Sequence, residues 1–350
     1  MTPFFVPGRL CLFGEHSDWA GGYRRTHPEI ARGVCLVAGT DQGLTARAEA
    51  DPAVVEITSH LPSGEEIGPA RIAATPGELD AAARSADFFS YVAGAAAEVM
   101  ARHVVGGLRL RVVSDLPVRK GLSSSAAISV ATVRAYARVY GLDLGVREEM
   151  EIAYRGERRT GSECGRMDQA CAHGRTVSRL TFDGDALEVA PVVPGGVLHL
   201  LIVDLRRAKD TRRILADLNA CFPDAPGRRA AAVRHALGAA NLAVTARAAA
   251  AIAGGDAVAL GACMTEAQHR FDADVAPACS ELEAPALHAL LAHPAVAELG
   301  TGAKGVGSQG DGCGQIVARD AEAREALAAR LVADLGVRTY GLTLFPGSDA

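Results

Sequence analysis

Residues 117–127 read Pro-Val-Arg-Lys-Gly-Leu-Ser-Ser-Ser-Ala-Ala. A turn of small residues opening a helix exposes backbone N–H groups that lack an internal partner and sit at the positive end of the helix dipole. Phosphate suits such a site. Three consecutive hydroxyls add donors and an oxygen that Mg²⁺ can take. The same residues also fit a plain Ser N-cap behind a tight turn. No Gly-Lys-Ser/Thr follows at the offset of a Walker loop. A second polar group follows Pro7-Gly8-Arg9, where Gly14 leads into Glu15, His16 and Asp18, closed by Gly21-Gly22. Charged groups behind a buried strand are costly unless they bind something, although a charged surface turn has the same composition. A third group is Cys164-Gly165-Arg166-Met167-Asp168-Gln169. Asp168 there can serve as a proton acceptor or as an ordinary acid at a helix start.

These groups need elements to carry them. Leu108, Leu110 and Val112 alternate with Arg109 and Arg111, which predicts a strand entering the serine-rich turn. Ile128 to Tyr140 has helical spacing without Pro or Gly, and predicts the helix leaving it. Arg9 to Phe13 reads as a short strand. Further strands are expected at Val34–Ala38, Leu44–Ala48 and Val54–Ile57, with Asp41-Gln42-Gly43 as a turn. Residues 61–77 read as a Pro- and Gly-rich surface loop. Helices are expected at Asp87–His103, with Phe88 on its apolar face, and at Arg147–Arg159. After about residue 185 the pattern changes to a buried strand, Val197 to Leu205, then helices over most of 228–270 and 283–292. A glycine-rich stretch, Gly302 to Gly314, precedes a strand at Gln315–Ala318. Two units are therefore expected, 1–185 and 186–350.

Composition narrows the function. Hydrophobic residues make up 49% and charged residues 22%, as in ordinary globular chains. A net charge of −5 without basic runs argues against nucleic acid as a partner. The eight cysteines include no Cys-x-x-Cys pair, so free thiols in a reducing cytoplasm are expected rather than a zinc or thioredoxin site. The first residues show no signal-peptide pattern. No stretch is expected to cross a membrane, because the alanine-rich segment 229–253 is broken by Arg229, Arg234, His235, Asn241 and Arg247.

Four of these stretches, in order along the chain, resemble the GHMP kinases (galactokinase, homoserine, mevalonate and phosphomevalonate kinases). Pro-x-x-x-Gly-Leu-Ser-Ser-Ser-Ala-Ala resembles their phosphate loop. Pro-Gly-Arg…Gly-Glu-His-Ser-Asp and Cys-Gly-x-Met-Asp-Gln resemble galactokinase segments, and 302–314 resembles the late glycine-rich motif. The resemblance implies an α+β, two-lobed GHMP kinase fold, with a ribosomal-protein-like N-terminal lobe (1–185) carrying the nucleotide and a ferredoxin-like C-terminal lobe (186–350). It implies ATP and Mg²⁺ as cofactors and a small-molecule substrate, with neither nucleic acid nor membrane as partner, in a monomer or homodimer. By position, Asp168 would be the catalytic base and Arg9 the cation beside the transferred phosphoryl group. Gly121, Leu122, Ser123, Ser124, Ser125 and Ala126 would cradle the phosphates. Glu15, His16, Asp18 and Gly165 would hold the substrate. Ser125 and Glu157 would hold the metal, although Glu157 stands one residue nearer the Cys-Gly motif than in galactokinases and also fits a surface helix acid.

The implied activity is transfer of the γ-phosphate of ATP to a hydroxyl of a monosaccharide or derivative, with the anomeric one expected. Arg9 in place of lysine, Asp18, and Met167-Asp168-Gln169 favour a sugar over mevalonate. A mevalonate-type alcohol kinase and a catalytically silent binding regulator remain the alternatives. Three departures from the pattern stand out: Trp19 in place of tyrosine, an Arg24-Arg25 pair that would read an anionic substrate or simply face solvent, and Ser308, Gln309 and Asp311 in the late glycine motif. Asp311 is expected to point away from phosphates.

Overall fold

The computed structural model describes residues 2–61, 63–85, 87, 89–116, 121–162 and 164–347. Phe88 and Pro117 to Lys120, cited above, lie outside the described residues. In chain order the elements are β1 (Phe4–Phe13), α1 (Ser17–Gly22), β2 (Gly33–Asp51), β3 (Val54–His60), β4 (Glu66–Ala73), α2 (Pro76–Arg84), α3 (Ser90–Met100), β5 (Gly107–Ser114), α4 (Ser124–Tyr140) and α5 (Val146–Arg159). A 3-10 turn at Asp168–His173 precedes β6 (Val177–Asp183), β7 (Ala186–Pro191) and β8 (Leu198–Asp204). Then come α6 (Thr211–Asn219), α7 (Arg228–His235), α8 (Asn241–Gly254), α9 (Ala257–Arg270), α10 (Pro285–Leu291), α11 (Pro294–Leu299), β9 (Gly300–Gly305), β10 (Cys313–Ala318), α12 (Ala321–Leu335) and β11 (Arg338–Leu344). The chain forms two compact units, Met1–Arg9 with Gly39–Arg175, and Leu10–Ala38 with Thr176–Ala350.

In the first unit the strands lie in the order β4–β3–β5–β2, with β3 and β5 parallel and the other pairs antiparallel. On β5, Leu108, Leu110 and Val112 are buried while Arg109, Arg111 and Val113 face out, as alternation requires. Helix α3 packs on α4 and α5. A Cβ on Gly94 would stand 2.3 Å from the Gly156 carbonyl, so α3 and α5 touch backbone to backbone. That close crossing draws Glu157, the next residue of α5, into the interior, where it is 2% exposed.

Two expectations for this region change. The turn expected at Asp41-Gln42-Gly43 is strand, because β2 continues from Gly33 to Asp51. The Gly43 N–H finds its acceptor in the Asp115 carboxylate at 2.6 Å, so the backbone stays satisfied without turning. The expected loop 61–77 holds β4 and the start of α2. Pro69 is tolerated because β4 is an edge strand, where a missing N–H costs no ladder bond.

In the second unit, Gly33–Ala38 of β2 pairs with β6, and β6 with β7, all antiparallel. A separate antiparallel sheet has the order β11–β8–β10–β9. With helices after β8 and α12 between β10 and β11, this is the β-α-β-β-α-β arrangement of a ferredoxin-like fold. Leu201 and Val203 of β8 and Ile316 of β10 pack with Leu287 and Leu290 of α10 and Leu327 and Leu331 of α12. A second cluster joins Ile214, Phe222, Val233, Leu237, Phe271 and Val275, with Trp19 and Tyr23 against it.

The membrane expectation needs a correction. Helices α7 and α8 meet at a π turn, Ala236–Ala240, where Gly238 is non-helical at φ −106° and ψ −105°, and the kinked run Arg228–Gly254 is long and apolar enough to cross a membrane by length and composition only. The scattered arginines do not interrupt it as expected, because an 18-residue window still averages a hydropathy of 1.4. In this unit Asn241 on that helix donates to Ser17 Oγ and to the Val34 carbonyl, both at 2.8 Å.

Candidate functional site

The first unit gathers Arg9, the serine-rich turn, Glu157 and Asp168. The Arg9 N–H donates to the Leu122 carbonyl at 3.0 Å, tying β1 to the turn. Gly121 takes φ +74° and Ser123 takes φ +55°, the left-handed region that only glycine enters freely. Ser123 is thus strained at the start of α4, as residues at ligand sites often are. Its side chain does not cap the helix. It donates instead to Asp168 Oδ1 at 2.9 Å and accepts from Arg9 Nη2 at 2.5 Å. The N-cap reading of Ser123 therefore does not hold, and the first N–H groups of α4 remain available to an anion.

Arg9 also forms an ion pair with Asp168 through the same nitrogen. The Arg9 side chain is 4% exposed, and its Nε and Nη1 are buried without an acceptor. Two guanidinium N–H faces left unpaired in the interior are costly, and a phosphoryl oxygen would satisfy them. Asp168 opens its 3-10 turn with a side chain one quarter exposed. Gly165 lies in the connection between α5 and that turn.

Glu157 is no surface acid. Gln169 Nε2 donates to its Oε2 at 2.8 Å, and the Ser125 hydroxyl also bonds to it. Burial pushes its carboxyl above the usual value, while Ser125, Gln169, the charge of Arg9 and Ser162 act against that rise. A serine hydroxyl beside a carboxylate is the small oxygen set that Mg²⁺ takes from protein when phosphates and water supply the rest. Among the described residues no cluster of three or more His, Cys, Asp or Glu is assembled for a metal.

The second unit holds the other polar group. Gly14 at φ +92° turns the chain out of β1, where a Cβ would meet the Val34 carbonyl at 2.2 Å. Glu15 forms a buried ion pair with Lys304 of β9, and Lys304 also donates to the Gly305 carbonyl at 2.9 Å. The Trp19 indole donates to His16 Nδ1 at 3.2 Å, which leaves Nε2–H to face the Ser308 carbonyl at 3.4 Å. Burial lowers the His16 pKa to about 4, helped by the charges of Lys209 and Lys304, so the ring is neutral near pH 7. Asp18 lies in α1 and is half-buried. Phe13, Glu15, Asn241, Phe271, Lys304 and Gln309 are among the residues that line a cavity of about 40 Å³.

Arg24 donates to Asp183 Oδ1 at 2.6 Å and to the Pro28 carbonyl at 2.6 Å; Arg25 meets Asp185 at 3.2 Å. This pair is committed to the β6–β7 hairpin. Asp311 accepts from the Leu287 N–H at 3.0 Å and so faces the start of α10. All eight cysteines are free. Lys304 was missed as a site residue. A lysine inside a Gly-Ala-Gly strand flanked by apolar β10 was the available signal for an inward charge.

Residues 90–175 match the model of the GHMP kinases N terminal domain. The galactokinase of Thermosipho africanus (strain TCF52B) is 27% identical over 166 residues, 47% of this chain and 41% of that protein. That of Streptomyces coelicolor (strain ATCC BAA-471 / A3(2) / M145) is 26% identical over 210 residues, 57% of this chain and 49% of its own. The chain thus spans about half the length of the galactokinases it matches. Among solved structures, L. major mevalonate kinase in complex with R-mevalonate superposes with a TM-score of 0.72 at 18% identity, covering 100% of this chain and 97% of that one. Lactococcus lactis galactokinase complexed with galactose gives 0.71 at 18%, covering 99% and 93%. The fold is that of these α+β kinases, and the match to the GHMP kinase N-terminal domain lies in residues 90–175.

Proposed function

We propose that the chain transfers the γ-phosphoryl group of ATP to a hydroxyl of a sugar or sugar derivative. The observation that carries this reading is the Arg9–Ser123–Asp168 cluster at the phosphate-type turn, with two Arg9 nitrogens left without an acceptor. Asp168 would accept the proton of the attacking hydroxyl as its oxygen bonds to phosphorus and ADP leaves. Arg9 would offset the charge of the phosphoryl group in flight. The N–H groups of Ser124, Ser125 and Ala126, with the turn from Gly121, would hold the phosphates. Ser125 and Glu157 would hold Mg²⁺, which supplies charge neutralisation at the phosphates. Glu15, His16, Asp18 and Gly165 would hold the acceptor.

Galactokinases and mevalonate kinases both resemble this chain, and Arg9, Asp18 and Met167-Asp168-Gln169 favour the sugar. A silent binding regulator would have no use for a base, and Asp168 is kept with its cation. ADP release with Mg²⁺ over a panel of sugars, sugar acids, polyols and mevalonate tests the proposal. Turnover of a sugar that Asp168→Asn abolishes supports it. Turnover of mevalonate alone overturns the sugar, and nucleotide binding without any turnover overturns the kinase.

A further inference from the structure

The glycine-rich stretch of the second unit closes around a lysine. Lys209 lies between β8 and α6, and its ammonium donates to the Gln309 carbonyl at 2.6 Å. A Cβ on Gly312 would stand 2.9 Å from both Cε and Nζ of Lys209, so the missing side chain at 312 is the space that the lysine fills. Two residues on, the Thr211 and Ser308 hydroxyls are 3.3 Å apart. Segments 209–211 and 308–309 therefore meet twice, beside His16, which faces the Ser308 carbonyl.

Lys304 and Lys209 face the carboxylates of Glu15 and Asp18 in this group, but only Lys304 is seen in an ion pair. Lys304 is neutralised by Glu15, and His16 is neutral. Lys209 has no ion-pair partner among the described residues, and the carboxylate acting on it is the same Glu15. The neighbouring acids keep their charge but make no ion pair with Lys209 among the described residues. Asp210 accepts from the Arg213 N–H, Glu281 from the Asp210 N–H, and Asp311 from the Leu287 N–H. Lys209 is half-buried, and desolvation lowers its pKa to about 8 against the opposing charges of Cys313 and Glu15. A half-buried cation bonded only to a carbonyl is stabilised when a ligand brings the opposite charge. The Thr211 hydroxyl is exposed and Ser308 half-buried, so both can still donate outward.

We infer that the substrate of this chain carries an anionic group, a phosphate monoester or a carboxylate, held by the Lys209 ammonium with the Thr211 and Ser308 hydroxyls. The inference rests on the kinase reading above and narrows its substrate class. It also reassigns the anion-reading role from Arg24 and Arg25, which Asp183 and Asp185 already occupy.

Calorimetric titration of the full chain without ATP tests it, with galactose, galactose 6-phosphate, galacturonate and inorganic phosphate as probes. At least one anionic sugar is expected to bind roughly tenfold or more tightly than galactose. Lys209→Met should erase that preference, and Thr211→Val or Ser308→Ala should weaken it by about threefold. The phosphate and carboxylate arms identify which group is read. Equal binding of neutral and anionic sugars, binding of no anionic probe, or a preference that survives Lys209→Met overturns the inference. If Lys209→Met does not fold, the two hydroxyl variants decide, and no weakening in either overturns it. ADP release separates the two levels of the reading. Anion preference without turnover of any probe sinks the kinase, whereas turnover of galactose without anion preference sinks only the anionic substrate.

Discussion

Arg9 meets both Asp168 and Ser123 through a single nitrogen, Nη2, and leaves Nε and Nη1 buried without an acceptor. One side of the guanidinium holds the carboxylate; among the described residues nothing accepts from the others. The proposed phosphoryl transfer would use them.

Asp168→Asn is therefore expected to keep the fold and to lower ADP production by about 10²- to 10⁴-fold, the usual worth of a positioned base. The measurement is single-turnover transfer with saturating substrate. A rate within tenfold of the wild type would remove Asp168 from the chemistry.

Glu157 makes a prediction with opposite signs for stability and metal use. Its carboxyl is raised above the ordinary value of 4.5 by burial. The unfolded chain therefore gives up this proton at a lower pH than the folded one, so folding binds a proton and loses stability as pH rises past about 4.5. Glu157→Gln should melt higher than the wild type at pH 7 to 8, with the gap closing as pH falls towards 4.5. The same variant should need roughly tenfold or more Mg²⁺ for half-maximal turnover. Equal melting temperatures across the range, or an unchanged Mg²⁺ requirement, would contradict these roles.

Much of this was legible before the structure, and the parts that were not share a cause. Leu108, Leu110 and Val112 announced β5 because one buried face imposes a period of two. The fold followed from ordered motifs close along the chain. Edge strand β4 was missed because Pro69 signals a loop wherever the ladder is not known to end there. The Ser123 hydroxyl looked like a cap and bonds instead to a residue 45 positions away. Lys304 escaped because its partner Glu15 is 289 residues distant, and nothing in local pattern reports a pairing at that range. The Arg24–Arg25 pair looked free for the same reason, since Asp183 and Asp185 are far along the chain.

That buried Glu15–Lys304 pair gives the third prediction. Both side chains are almost fully buried, at 6% and 2% exposure. Lys304→Met removes the contacting cation from the buried Glu15 carboxylate and should cost about 3 to 5 kcal/mol in chemical denaturation. Adding Glu15→Gln should return most of that loss, because removing both charges also removes both desolvation costs. A Lys304→Met variant within about 1 kcal/mol of the wild type would show the pair to be solvated and weak.

His16 supplies the last test, and its sign is set by burial. The ring holds its pKa at about 4 in the folded chain, against an ordinary histidine value of 6.5. The unfolded chain therefore takes up the proton first as pH falls. Stability is complete above about pH 6.5 and is lost on the way down to about 4, by up to roughly 3 kcal/mol. His16 also stands at φ 68°, a conformation that asparagine tolerates better than most residues. His16→Asn thus removes the titration while keeping the backbone, although it gives up the Trp19 hydrogen bond and the stacking on Phe271 at 6.2 Å. Urea denaturation at pH 7 and at pH 4.5 should show the wild type losing about 2 kcal/mol more than His16→Asn between the two. Equal losses would mean that His16 charges freely in the folded chain. It would then be a solvated ring, and the neutral donor facing the Ser308 carbonyl would have to be given up.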